Sequence, residues 1–185
     1  MKVYCIFMLL VVEIAVAIRL KSKSGFSVER WTKGAILEAA NNLQPSAYSV
    51  MIDRTTERSY TGKFQGGERY NIKDEGVYCC ALCNLPLFSS KHKFVSGTGW
   101  PSYYDVYDHD HIEKLITVEN RGFTEVVCAR DGTHLGHAYP DKPPPALQRT
   151  LQQEGVACEP YSFVRYCINA GALRFVPSHL VDTLR

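Results

Sequence analysis

The chain has 185 residues, 45% of them apolar and 22% charged, which suffices for one domain with a real core and excludes a disordered or low-complexity polypeptide. A formal net charge of +2, with no basic run interleaved with aromatics, leaves no electrostatic footprint for nucleic acid. No internal repeat points to a solenoid or propeller.

Lys2 precedes an apolar run over residues 3–12, and Ala15-Val16-Ala17 has the small-x-small form of a cleavage site. This three-part pattern predicts a secretory signal peptide over residues 1–17, although Glu13 sits oddly late in it. The run is short of the about 20 residues that a membrane span needs. An uncleaved anchor is the second reading and a mitochondrial presequence the third, the latter kept open by Arg19, Lys21, Lys23 and Arg30. Residues 18–26 are polar and read as a loose start to an N-terminal extension reaching residue 44. Val28, Trp31, Ala35 and Ala39 form a stripe that predicts a helix over 28–42, ended by Leu43-Gln44-Pro45. Gly66-Gly67 marks a turn.

From residue 76 the pattern becomes β-rich. Strands are predicted over 77–82, and over 115–119 and 123–129 as a hairpin about Asn120-Arg121-Gly122. A further pair is predicted over 163–168 and 172–176, turning at Ala170-Gly171. Before it lies a proline-rich segment, 140–160, with room for a short helix over 148–154.

Seven cysteines occur, and six remain once Cys5 leaves with the signal, so three disulfides are one use for them in an oxidising compartment. The spacing favours another. Cys80-Ala81-Leu82-Cys83 is a C-x2-C knuckle, able to grip a metal ion from one tight turn. Its candidate partner is Cys128-Ala129-Arg130-Asp131, with a carboxylate in place of the second sulfur. Zinc accepts three thiolates and one Asp oxygen. The alternatives are a lost site or a Cys80–Cys83 disulfide.

His134-Leu135-Gly136-His137 places two imidazoles at i and i+3, on opposite faces of a straight strand; a bend or bulge at Gly136 would bring them together. Otherwise one is a surface histidine and the other a hydrogen-bonded one. Ser96-Gly97-Thr98-Gly99-Trp100-Pro101 fixes a specific backbone path that presents Trp100 at a cleft, or else buries it under a turn. Along Arg165-Tyr166-Cys167-Ile168-Asn169, strand alternation puts Arg165, Cys167 and Asn169 on one face and turns Tyr166 and Ile168 inward. A cation beside a thiol lowers its ordinary pKa of about 8.5 and favours a reactive thiolate over a buried structural cysteine.

Together these segments resemble the type-B methionine sulfoxide reductases. The matching signatures, in order, are Gly76-Val-Tyr-x-Cys80-x-x-Cys83-x-x-Pro86-Leu-Phe88, Ser96-Gly-Thr-Gly-Trp-Pro-Ser102, Gly132-Thr-His134-Leu-Gly-His137 and Arg165-Tyr-Cys-Ile-Asn169-x-x-Ala172-Leu-Arg-Phe175. The resemblance covers about residues 45–177, with a tail at 178–185. It implies a mainly β fold of two antiparallel sheets forming an incomplete barrel, here with an N-terminal helical segment, and a structural zinc ion away from the active site. It implies reduction of methionine-R-sulfoxide in proteins through a Cys167 sulfenic acid. Carried over residue by residue, Cys167 is the nucleophile, His134 and His137 lie on the sulfoxide side, Arg165 and Asn169 orient, Asp141 supports the site and Trp100 receives the substrate methyl. The zinc ligands expected from the spacing are Cys80, Cys83, Cys128 and Asp131.

The chain departs from the family at Thr98, where many members carry the second, resolving thiol. Cys158 and Cys79 are the cysteines left for that task, Cys158 lying in an insertion at 146–164. The alternative is direct reduction by an external thioredoxin-like thiol. The expectation is therefore a monomeric peptide-methionine (R)-S-oxide reductase acting on oxidised proteins in the secretory pathway, or alternatively in the mitochondrion. Its rival is a non-catalytic, zinc-stabilised ligand-binding module on the same fold.

Overall fold

The computed structural model describes residues 20–67, 74–116, 122–153, 155 and 163–184. The predicted signal at 1–17 and Cys158 lie outside the described residues.

Among the described residues, nine strands build two antiparallel sheets, neither closed into a barrel. The smaller has the order β2 (Pro86–Ser89), β1 (Gly76–Cys80), β9 (Leu173–Pro177). The larger runs β3 (Lys93–Phe94), β4 (Ser102–Tyr103), β8 (Phe163–Ile168), β7 (His134–Asp141), β6 (Thr124–Cys128), β5 (Ile112–Leu115). Aromatic rings pin the sheets together. Tyr78 of β1 lies 5.2 Å from Phe64, 5.2 Å from Phe175 and 5.3 Å from Tyr103 of β4, whose ring stacks on Phe88 at 4.3 Å. Such pairs add directional packing to the burial of large apolar area.

The strand pair predicted across residues 163–176 does not form. β8 pairs with β4 and β7, whereas β9 pairs with β1 in the other sheet. A 3-10 turn, Ala170–Ala172, carries the chain from one sheet to the other. All three of its residues are buried, so it is a crossing through the core and not an exposed hairpin loop. An antiparallel pair forms between β5 and β6, with Ile112 opposite Cys128, but β5 lies at 112–115, ahead of the strand predicted over 115–119, and residues 117–121 of the predicted hairpin lie outside the described residues.

The first helix is shorter than its stripe. α1 spans Lys33–Ala40, and Thr32 caps it by accepting from the Ala35 amide at 3.2 Å. Residues 28–31 stay outside it because their chain is held by neighbours: the Trp31 amide donates to Arg130 O at 2.8 Å, and the Arg130 side chain donates to Ser27 O. Val28 and Trp31 still pack on the core, without helical geometry.

Residues 20–27 are not loose. Phe26 is buried, edge-on to His111 at 5.5 Å and to Tyr107 at 6.1 Å. The Ser24 amide and hydroxyl both donate to Asp108 Oδ2 at 2.7 Å. One buried ring and a doubly used carboxylate anchor a stretch whose composition reads as polar.

α2 (Pro45–Met51) starts with a proline at its first turn and packs on the Ala170–Ala172 crossing. α3 (Pro145–Gln153) begins three residues before its predicted start and buries Leu147 and Leu151 with Phe163, against Phe94 and Tyr104. The C-terminal 3-10 segment, Ser178–Leu184, lays Val181 and Leu184 over Val77, Cys79 and Val176.

Candidate active site and metal centre

β8 is an interior strand, so Cys167 has a neighbour on each side: Ser102 of β4 and His137 of β7. Burial alternates as expected, with Tyr166 and Ile168 inside and Arg165 and Cys167 half-buried. The two imidazoles meet because β7 carries a bulge. Val126 pairs with Gly136 but Val127 pairs with His134, so Leu135 is the extra residue. One inserted residue turns an i, i+3 spacing into a shared face. The His134 and His137 ring centres lie 5.3 Å apart.

His134 is almost wholly buried. Its Nδ1 lies 2.7 Å from Glu125 Oε1, and the same oxygen accepts from Arg54 at 2.5 Å. That pairing puts the proton on Nδ1 and leaves Nε2 as the free acceptor. Nε2 is buried with no hydrogen-bond partner among the described residues. His137 packs edge-on against Phe123 at 5.0 Å. Burial lowers both imidazole pKa values; Glu125 pulls that of His134 back up, and His134 lowers that of His137 further.

The thiol does not follow the expectation drawn from Arg165. Burial raises the Cys167 pKa, and this outweighs the lowering by Arg165 and by the Thr98 hydroxyl. Desolvation of a thiolate is the larger effect because β8 is interior. Arg165 is also shared. Its Nε donates to Asp141 Oδ2 at 2.6 Å, and its guanidinium lies 4.8 Å over the Tyr139 ring. Asp141 thus holds the cation that Cys167 faces.

Thr98 belongs to a line of hydroxyls. Ser102 Oγ donates to Ser96 Oγ at 2.8 Å, and Ser96 Oγ lies 2.8 Å from Thr98 Oγ1. The Trp100 indole donates from Nε1 to Glu57 O at 3.0 Å. Asn169 lies past the end of β8, buried; its Nδ2 donates to Leu135 O and its Oδ1 accepts from the Glu57 amide, both at 3.0 Å. Sequence reasoning missed Arg54, Glu57 and Glu125. Glu125 had a signal, a lone acid inside the apolar strand Phe-Thr-Glu-Val-Val; Arg54 and Glu57 had none, because their partners are more than 40 residues away.

Cys79 is fully buried beneath the C-terminal segment, and burial pushes its thiol up to about 12. These surroundings give it no access to a sulfenic acid.

Cys80, Cys83, Cys128 and Asp131 converge, all buried, with one candidate ligand atom from each within 4.8 Å of the others. They come from the β1–β2 turn and the β6–β7 turn, on elements other than β8. Asn84 at φ 58 and Gly132 at φ 73 make the reversals that close the two knuckles. Cys83 Sγ lies 3.5 Å from Cys128 Sγ, and Cys80 Sγ lies 3.0 Å from Asp131 Oδ2. The other Asp131 oxygen accepts from the Thr133 amide and hydroxyl, which aims Oδ2 at the sulfurs. In this crowded cluster, burial pushes Cys80 up to about 12 and Asp131 to about 7, and the neighbouring acids add to both, while Cys128, which burial would also raise, is brought down to about 6 by hydrogen bonds from Cys80 and Cys83. Three sulfurs and an oxygen at this separation suit a tetrahedral cation, which would relieve that crowding.

The SelR domain matches residues 43–177. A peptide methionine sulfoxide reductase MsrB of Thiobacillus denitrificans is 38% identical over 73% of this chain and 87% of its own length. The protein of the same name from Pseudomonas fluorescens is 41% identical over 73% of this chain and 88% of its own, and that from Methanosarcina mazei is 40% identical over 72% and 81%. With its thiol strand, paired imidazoles and two metal knuckles falling inside the matched span, this chain belongs to the SelR domain family.

Proposed function

We infer that the protein is a peptide-methionine (R)-S-oxide reductase, returning methionine-R-sulfoxide in proteins to methionine. The observation that carries the reading is the half-buried Cys167 on β8, paired with the strand that brings His134 and His137 onto one face.

The protonation states suggest how the step runs. At neutral pH the thiol keeps its proton and both imidazoles are neutral. An imidazole takes the thiol proton as the sulfur attacks and delivers it to the sulfoxide oxygen as the sulfur–oxygen bond breaks. The released hydroxide then bonds to the Cys167 sulfur as the sulfur–sulfur bond made in the attack breaks, which leaves sulfenic acid and free methionine with no net proton consumed. His134, whose Nε2 has no partner among the described residues, and His137, opposite Cys167, are the two imidazoles offered for that proton. Trp100 walls the methyl group, Arg165 and Asp141 fix the charge near the thiol, and Asn169 ties β8 to β7. A second thiol then converts the sulfenic acid to a disulfide with loss of water. Cys158 is our candidate for that thiol, with a thioredoxin-like protein as final reductant.

Cys80, Cys83, Cys128 and Asp131 suit one structural zinc ion, which would tie the two turns together. The pattern over residues 1–17 supports a place in the secretory pathway, with the mitochondrion second. The test uses the separated sulfoxide epimers of a capped methionine. Turnover of the R-epimer alone, lost in Cys167→Ser with the fold retained, is the expected result. Turnover of neither epimer, or activity surviving in Cys167→Ser, overturns the assignment.

A further inference from the structure

Glu57 touches more of the site than any residue so far given a part in it. It lies in the loop after α2, far in sequence from β8. Its carbonyl accepts from the Trp100 indole at 3.0 Å, and its amide donates to Asn169 Oδ1 at 3.0 Å. Its carboxylate accepts from the Ala170 amide at 2.5 Å and the Gly171 amide at 3.0 Å. These two donors open the crossing immediately after Cys167 and Asn169, and Asn169 provides no side-chain cap for it. Gly62 makes room for the carboxylate: a Cβ there would stand 2.5 Å from Glu57 Oε1 and 2.8 Å from Ala170 Cβ.

We propose that Glu57 is the positioning residue of the reductase, fixing the indole wall, the Asn169 amide and the turn behind the nucleophile as one rigid unit, with its carboxylate anchored on the Ala170 and Gly171 amides. The inference rests on the reductase reading of Cys167. β4 already fixes the backbone beside Trp100 to β8, with Ser102 opposite Cys167 and the Ile168 amide on Pro101 O. Without the Glu57 carboxylate, the loop that holds the indole and Asn169 is no longer tied to the Ala170 and Gly171 amides, so the indole ring and the turn behind the sulfur lose their common reference. The electrostatics agree. Burial raises the Glu57 pKa against the two amide donors that lower it, and the carboxylate in turn raises that of Cys167. The other groups acting on the thiol are Arg165 on its own strand, the Thr98 hydroxyl from the glycine-rich loop and Tyr139 on β7, where His137 lies opposite Cys167 in register.

Three substitutions separate placement from charge. Glu57→Gln keeps the size and removes the charge; Glu57→Asp keeps the charge and shortens the reach by one methylene; Glu57→Ala removes both. The readouts are KM and kcat for the R-sulfoxide, and the pH midpoint of iodoacetamide labelling at the Cys167 peptide, read by mass in the absence of substrate. Glu57→Gln should move the labelling midpoint down, because a neighbouring negative charge is lost. Glu57→Asp should leave the midpoint near that of the parent yet raise KM about tenfold, the scale of one charged hydrogen bond. Glu57→Ala should do both. An unmoved midpoint in Glu57→Gln, or unchanged KM in both Glu57→Asp and Glu57→Ala, overturns the proposal. So does activity that falls only with the folded fraction. An inactive parent protein would instead fail the reductase reading, while the labelling midpoint would still report on Glu57.

Discussion

Gly136→Ala tests the bulge that assembles the two imidazoles. A Cβ at this position would stand 2.9 Å from Ile168 Cα, and closer still to the Cys167 carbonyl oxygen. Carbon atoms rest at about 3.5–4.0 Å, so β7 and β8 must separate by about 1 Å. Both contacts are backbone, so no side chain can swing aside. Overpacking of this kind costs about 1–3 kcal/mol. For a chain of this length each kcal/mol lowers Tm by about 2–4 °C, giving a fall of about 2–12 °C. The displacement lies between Cys167 and His137, and a shift of about 1 Å at reacting groups costs about a hundredfold in rate. Calorimetry and kcat/KM for the R-sulfoxide check the two effects. Gly25→Ala is the control: it has a positive φ of 86° and open space around it, remote from β8. It should cost about 1–2 kcal/mol of backbone strain and leave activity intact. Parent-like Tm and activity in Gly136→Ala would refute the reasoning, because the added atom would then have found room that the pairing of β7 with β8 denies.

Glu125→Gln should shift the acidic limb of the pH–rate profile. Burial already holds the His134 pKa below its ordinary value of about 6.5, and Glu125 is what raises it. Without the carboxylate the pKa falls further, so the rate loss on acidification begins at lower pH, and the plateau drops as the imidazole becomes a weaker base. An unmoved limb would remove His134 from the proton path. Thr98→Cys places a thiol where a hydroxyl already influences the Cys167 sulfur. After one turnover the pair should close to a disulfide, seen as loss of dimedone labelling; undiminished labelling would mean the loop cannot bring them together. Purified protein should carry a single zinc ion, and Cys83→Ala should lose it together with several degrees of Tm, since the ligands join two turns. Elemental analysis and melting with a chelator check this, and a metal-free parent indifferent to chelator would dismiss the site.

Local pattern was enough for the elements that carry their own signal. Alternation along residues 163–168 correctly turned Tyr166 and Ile168 inward, because a strand has a fixed period of two. The C-x2-C spacing fixed one knuckle, and the His-x-Gly-His spacing demanded a bulge if both rings were to share a face; the extra residue is Leu135. The helix at 33–40 starts later than its stripe because two stripe residues, Val28 and Trp31, were claimed by the core and by Arg130 instead of by a helical ladder.

Tertiary structure decided what depends on partners distant in the chain. Whether residues 163–176 make a hairpin or cross between sheets turned on the burial of Ala170–Ala172. The polar stretch at 20–27 became ordered through Phe26 and Asp108, some 80 residues apart. The thiol pKa took its direction from desolvation within an interior strand, a quantity no neighbouring residue in sequence encodes. Sequence by itself determined which chemical groups are present and the faces on which local geometry sets them. Only the packed chain decided how much water surrounds each group and which remote carboxylate reaches it, because solvation and long-range contact belong to the folded whole.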